Sequence, residues 1–253
     1  MKFTSFFSST VLAALCVAGP SFATPTLFSG YDPAANSVGA PRPNAAAAHG
    51  LFLSAVTEFS SQDFEGESTG ALSSVDLTFD GTLGVITGTL TGPNQVIRNT
   101  PTAGTFPTSG TKFLLSNGFP TFTFDAAIGA IGMYISDVEG QQTIVFERTL
   151  EAGGTDQVVF DTTAAQNRSP NESGLFFLGF IDVDNPFTAV EIQGPASDGV
   201  GIDDILLADV GQVDEDELDR VNGVAVPNPA MAGLLALGGL HLLRRRAAYT
   251  PGR

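Results

Sequence analysis

An antiparallel β-sandwich is the fold class this sequence predicts, and three observations carry that reading. Residues 174–207 divide into three successive strands, Leu175–Ile181, Thr188–Ile192 and Val200–Leu207, with turn residues between them and no helical period. From Val75 to Leu150 short apolar or alternating runs follow one another, separated by Gly, Pro, Asn or Asp, a spacing that suits a sandwich or a barrel. Composition agrees, because 29 Gly, 15 Pro and 20 Phe suit short strands joined by tight turns. A length of 253 residues alone leaves one large domain or two small ones open.

Taken in order, Met1–Ala23 reads as a secretory signal: Lys2 is the charged start, Val11–Ala18 the apolar centre, and Ser21-Phe22-Ala23 the small-x-small cleavage site. The single cysteine, Cys16, falls inside it, and Leu15 before it argues against lipidation. The mature chain therefore has no thiol, so no disulfide braces it and no cysteine serves catalysis or a metal. Roughly 200 residues still suffice for an unaided core.

Residues 24–43 are expected as an extended N-terminal segment outside the domain, which is set at 44–209. Asn44 is the expected cap of a short helix ending near Val56, with Leu51, Phe52 and Ala55 facing the sheet. His49 on that helix reads as a partly exposed bystander rather than a ligand. Thr57–Glu65 is expected to be extended, so that a buried Phe64 leaves Asp63 and Glu65 together on the opposite face.

The strands that follow are Val75–Phe79, Gly84–Leu90, Val96–Arg98, Lys112–Leu115, Thr121–Phe124, Ala130–Ser136, Thr143–Leu150 and Val158–Phe160. Leu175–Ile181 is too short for a helix and apolar throughout, as in a strand buried on both faces. Residues 167–173 hold two N-glycosylation patterns, Asn167-Arg168-Ser169 and Asn171-Glu172-Ser173. Residues 210–225, with the charge run Asp214–Asp219, read as an acidic linker in solvent.

The end of the chain is a different composition. Pro227-Asn228-Pro229 precedes an apolar run, Ala230–Leu243, and then Arg244-Arg245-Arg246. As a helix the run spans roughly 21 Å at ~1.5 Å per residue, short of the ~30 Å hydrocarbon layer, with the arginines on the cytoplasmic side. A C-terminal hydrophobic helix over 226–246, followed by a short tail at 247–253, is the expectation.

Those features resemble the PEP-CTERM sorting signal of Gram-negative bacteria, a tail that has also been named an ice-binding protein C-terminal domain. Asn228 stands where Glu is usual. The resemblance implies export through the Sec pathway, transient holding in the inner membrane and recognition by an exosortase-type enzyme. It further implies removal of the tail and delivery to the cell surface or an exopolysaccharide matrix. Asp63-Phe64-Glu65-Gly66 and Gly201-Ile202-Asp203-Asp204-Ile205 are similar to the two ends of MAM-type jelly rolls. That similarity implies a jelly-roll-like sandwich with first and last strands adjacent, bringing Asp63 or Glu65 near Asp203 or Asp204.

Charge narrows the function classes. Between Thr24 and Val226 there are 6 basic residues against 27 acidic ones, a net −21. Such a surface repels nucleic acid and attracts divalent or other cations. A structural Ca²⁺ held by Asp63, Glu65, Asp203 and Asp204 is one expectation, since calcium takes six to eight oxygens. Backbone N–H donors to the same carboxylates are the alternative. Asp182-Val-Asp184 is a weaker second cluster that also reads as an ordinary turn.

Carbohydrate binding lacks its best stacking ring, there being no Trp and only Tyr31 and Tyr134 outside the two terminal segments. Ice binding rests on Thr87-Gly88-Thr89-Leu90-Thr91, one strand of ordinary β-propensity, where stacked copies would be needed. Catalysis lacks a Gly-x-Ser-x-Gly motif, a metal-histidine motif and a thiol, so no enzyme is expected.

Overall fold

Runs in which apolar residues alternate with Thr, Asp and Gln become strands, and the computed structural model describes residues 24–223 except 83, 103, 118–119, 139–142, 163–173 and 194–198. The expected signal segment 1–23, the glycosylation patterns at 167–173, the expected sorting residues Pro227, Asn228, Pro229, Arg244, Arg245 and Arg246, and the expected C-terminal helix lie outside the described residues. The elements of the first half are β1 (Thr26–Asp32), α1 (Pro43–Ser54), β2 (Ser60–Gln62), β3 (Gly70–Gly81), β4 (Gly84–Arg98), β5 (Phe113–Ser116) and β6 (Thr121–Ile128). Those of the second are β7 (Ala130–Ser136), β8 (Thr143–Leu150), β9 (Thr155–Asp161), β10 (Leu175–Ile181), β11 (Phe187–Gln193), β12 (Val200–Ala208) and α2 (Glu215–Gly223). The fold is all-β and antiparallel.

One sheet runs in the order β1-β10-β7-β12-β5-β4-β6-β11-β8-β9, with β2 added to β12 and β3 to β4. Strand β4 carries the sheet from one layer to the other. Its first half pairs with β6 and its last four residues, Gln95–Arg98, with β5. The sequence suggests two strands here, Gly84–Leu90 and Val96–Arg98. The structure has one, because Asn94 takes a left-handed φ of 54° and a bulge opposite Leu72–Ser74 bends the ladder without ending it.

Folded at β4, the sheet becomes a sandwich of an outer layer, β3-β4-β6-β11-β8-β9, and an inner layer, β1-β10-β7-β12-β5. Inward side chains of both layers, among them Leu90, Phe122, Phe146, Val190, Phe180 and Ile202, form the main core. Every residue of β7 and β10 is buried, as the continuous apolar run of β10 predicts. Phe176, Leu178 and Phe180 enter the main core, whereas Leu175, Phe177 and Ile181 join a second core beneath the helices.

That second core explains two segments the sequence left outside the domain. Residues 26–32 are not a loose extension but edge strand β1, paired with β10 from Thr26↔Ile181 to Asp32↔Leu175. The expected acidic linker is also part of the fold: Val210–Gln212 forms a 3-10 turn and 215–223 forms α2. Asp214 caps α2 by accepting from Glu217 N at 3.0 Å, and three acidic residues occupy its first turn, where the helix dipole favours them. Leu218 and Val221, three apart, are its buried stripe. Charge density hid that stripe.

Helix α1 begins at Pro43, and Asn44 is not its cap. Asp32 on β1 does that work: Oδ1 accepts from Asn44 N at 3.1 Å and Oδ2 from Ala45 N at 2.7 Å. The helix buries Ala45, Ala48 and Phe52, while Leu51 is only half-buried. Phe52 lies over Gly132 and Gly179, which are cross-strand partners. A Cβ on Gly179 would sit 3.0 Å from the Phe52 ring, and one on Gly132 would sit 2.9 Å from Phe177. The missing side chains are the seat of the helix. Gly179→Val is therefore expected to lift α1 and lose stability, and Phe52→Ala to cost about 3–5 kcal/mol in urea unfolding followed by circular dichroism.

Candidate functional site

Strand β12 passes between β7 and β5, and Asp203 and Asp204 sit side by side in it. Simple alternation would send their carboxylates to opposite faces. Instead β12 is bulged: Asp203 opposes Tyr134 and Leu206 opposes Gly132, so one extra residue is accommodated. Asp204 takes it up with a φ of 48°. Both carboxylates then meet the same loop, residues 106–112.

Asp203 Oδ2 accepts from Thr108 N at 2.7 Å, Thr108 Oγ1 at 3.0 Å and Ser109 N at 3.1 Å. Asp204 accepts from Ser109 Oγ at 2.6 Å and Thr108 Oγ1 at 2.7 Å. Asp203 Oδ1 is buried with no hydrogen-bond partner. Burial, then the neighbouring charge of Asp204, pushes the Asp203 carboxyl up to about 7 against the pull of the Ser109 and Thr108 amides.

The rest of the loop is held by a third carboxylate. Glu65 Oε1 accepts from Thr111 N at 2.6 Å and Lys112 N at 2.5 Å, and these bonds hold its carboxyl below the usual range. Lys112 Nζ returns to Glu65 O and Glu67 O, each at 2.7 Å. Phe64 is fully buried, but with a φ of 60° rather than in an extended strand. Asp63 consequently serves its own turn, accepting from Glu65 N at 3.0 Å.

Strands β2 and β12 are paired, Gln62 opposite Ile205, so the two ends of the motif do lie side by side. What they grip is a loop, through its amides and hydroxyls. Asp63, Glu65, Asp203 and Asp204 do not gather as one ligand set, and among the described residues no group of three or more His, Cys, Asp or Glu side chains is arranged to hold a metal.

Three side chains outside the motif complete the clasp. Arg42 Nη2 donates to Thr108 O at 2.9 Å while its guanidinium carbon lies 4.9 Å from the Tyr134 ring centre. His49 Nδ1 meets Tyr134 Oη at 3.1 Å, with its ring 5.1 Å from that of Phe177. Burial lowers the His49 pKa, partly offset by Asp204 and reinforced by Arg42. His49 is thus a packed partner of Tyr134. Its signal in the sequence, a histidine one turn before Phe52, was too general to find it.

The second acidic cluster is a buried ion pair. Arg148, fully buried on β8, reaches Asp182 at 2.7 Å and the half-exposed Asp156 at 2.8 Å. Asn185 N also donates to Asp182 Oδ1 at 2.9 Å, closing the turn before β11.

No family model matches the chain, and no curated protein matches it. Among solved structures, a mutant of a family 29 carbohydrate-binding module covers 62% of this chain and 97% of its own length at 13% identity, with a TM-score of 0.30. The cleaved adhesin domain of Lys-gingipain covers 59% of this chain and 99% of its own at 9% identity, with a TM-score of 0.35. At these values the likenesses assign this chain neither a ligand nor an activity.

Two outcomes follow from the charges. Because the folded pKa of Asp203 lies above its unfolded value of 3.8, its contribution to stability is present below about pH 4 and lost as pH rises through about 7. Asp203→Asn removes that loss: the variant gains on the parent between pH 5 and pH 8, by a few kcal/mol at most, in urea unfolding at the two pH values. Arg148→Ala strands Asp182 and is expected to cost about 3–5 kcal/mol, whereas Arg148→Met together with Asp182→Leu restores most of it.

Proposed function

We propose that the chain is an exported, non-enzymatic β-sandwich module of the cell surface or exopolysaccharide matrix. The observation that carries this is that every described strand and helix, from β1 to α2, falls between the segments read as signal and sorting tail. Strand β1 begins at Thr26, three residues after the expected cleavage point at Ala23, and α2 ends at Gly223, before Pro227. Removal of both terminal segments would leave every described strand and helix intact. The clasp points the same way, since its carboxylates, hydroxyls and Arg42 are engaged in holding a loop rather than poised around an open reaction centre.

In this reading Met1–Ala23 directs Sec export. Residues 226–246 hold the precursor in the inner membrane until an exosortase-type enzyme reads Pro227-Asn228-Pro229 and the arginine cluster. The thiol-free, strongly acidic body then has no redox requirement and stays soluble outside the cell. Fractionation of cells expressing the full chain should find it outside the cytoplasm, with Thr24 as the new N-terminus and the tail lost. Replacing Arg244–Arg246 with alanine should leave an uncut, membrane-held precursor. Intact chain among the soluble cytoplasmic proteins would overturn the proposal.

A further inference from the structure

The outer layer has a face that neither helix covers, because α1 packs on β1, β10 and β7 of the other layer. Its register lines up polar side chains across six strands. One row runs Ser74, Thr91, Thr121, Glu191, Glu147 and Gln157, each the cross-strand partner of the next. A parallel row brings Thr89 and Thr123 into line with Thr149 and Thr155, with Ala189 between the two pairs. The stacked copies that no single strand shows are supplied by the pairing of strands distant in sequence. Neighbouring strands are about 4.8 Å apart and the rows about 6.7 Å apart, so the first row spans roughly 24 Å, with hydroxyls on β3, β4 and β6 and Glu191, Glu147 and Gln157 on the other three strands.

β-Propensity alone accounts for threonines on a half-exposed sheet. It does not account for Glu191 directly opposite Glu147, since like charges in that position are destabilising. Among the described residues no ion pair includes either of them. Their neighbours are amides: Gln157 Nε2 donates to Glu147 at 3.1 Å, and Gln193 Nε2 donates to Glu147 and Glu191 at 3.3 Å each. The face therefore offers stiff hydroxyls and side-chain amides around an uncompensated negative pair. It presents no aromatic platform, Tyr31 and Tyr134 belonging to the inner layer.

From this we infer that the outer face binds a hydroxyl-rich polysaccharide bearing free amines, a glucosamine polymer in chemical class. Charge complementarity selects it. Ammonium groups would neutralise Glu147 and Glu191, sugar hydroxyls would exchange hydrogen bonds with the threonine rows, and χ1 of each threonine is already restricted before binding. A uronic-acid polymer would meet repulsion from the pair and from the net −21 of the body. The inference rests on the export reading, because such a polymer is met outside the cell.

Calorimetric titration of the full chain in mildly acidic buffer, where sugar amines are charged, tests it with three oligomers of equal length: de-N-acetylated glucosamine, its N-acetylated form and galacturonate. The expected order is amine first, acetylated weaker, galacturonate undetectable. Glu147→Gln with Glu191→Gln should weaken the amine oligomer at least about tenfold, and Thr89→Val with Thr123→Val should weaken both glucosamine forms. Asp216→Asn with Asp219→Asn removes the same charge from exposed α2 and should change binding less than about twofold. Equal loss in that control would reduce the effect to bulk polyelectrolyte attraction and overturn the inference. Absence of amine binding, or preference for galacturonate, would overturn it too, while export is judged separately by fractionation.

Discussion

The inner layer is apolar on both faces, and the rest of the structure answers that constraint. A sheet that buried only one side would leave Leu175, Phe177 and Ile181 in water. The outer layer covers one face of β10, and α1 covers the other, with α2 adding Leu218 and Val221 to the same second core. Each of these three buried side chains is worth about 1.5–3 kcal/mol, so an uncovered back face could not persist. The glycine pair 132 and 179 makes the cover close-fitting, by letting Phe52 approach the backbone where any side chain would hold it off.

The polar interior follows from the same economy of donors. Carboxylates enter low-dielectric surroundings only where N–H and O–H groups await them, and each finds these in a segment distant in sequence. Asp32 caps α1, Asp203 and Asp204 hold Thr108 and Ser109, and Glu65 holds Thr111 and Lys112. Asp209 likewise accepts from Thr82 Oγ1 at 2.9 Å and from Gln212 N at 3.0 Å. Acidic side chains thus serve as the ties between loops and layers in a chain whose single cysteine can close no internal disulfide. Asp203 Oδ1 finds no such donor among the described residues, and its burial, with the neighbouring charge of Asp204, raises the proton affinity of that group.

Continuous apolar runs made β7 and β10 legible to the residue, and β8 was found by period-two patterning. It failed where φ turns positive. Phe64, Asn94 and Asp204 each break the alternation that local reading assumes, so Asp63 and Glu65 part company and Asp203 and Asp204 converge. No composition signal marks an aspartate that will adopt a left-handed backbone. Strand β1 and helix α2 were missed for a different reason: their stabilisation lies in partners far along the chain, not in their own Pro-, Gly- or acid-rich stretches. The threonine grid was invisible for that reason too, since rows across a sheet exist only once the register is known.

The pairing of β1 with β10 joins Thr26 to Ile181, so the first described strand to be synthesised has no partner until most of the chain has followed. Contacts of such long sequence separation form late and slowly. A polypeptide built this way keeps its leading edge open until nearly everything else exists. Its beginning waits for its end.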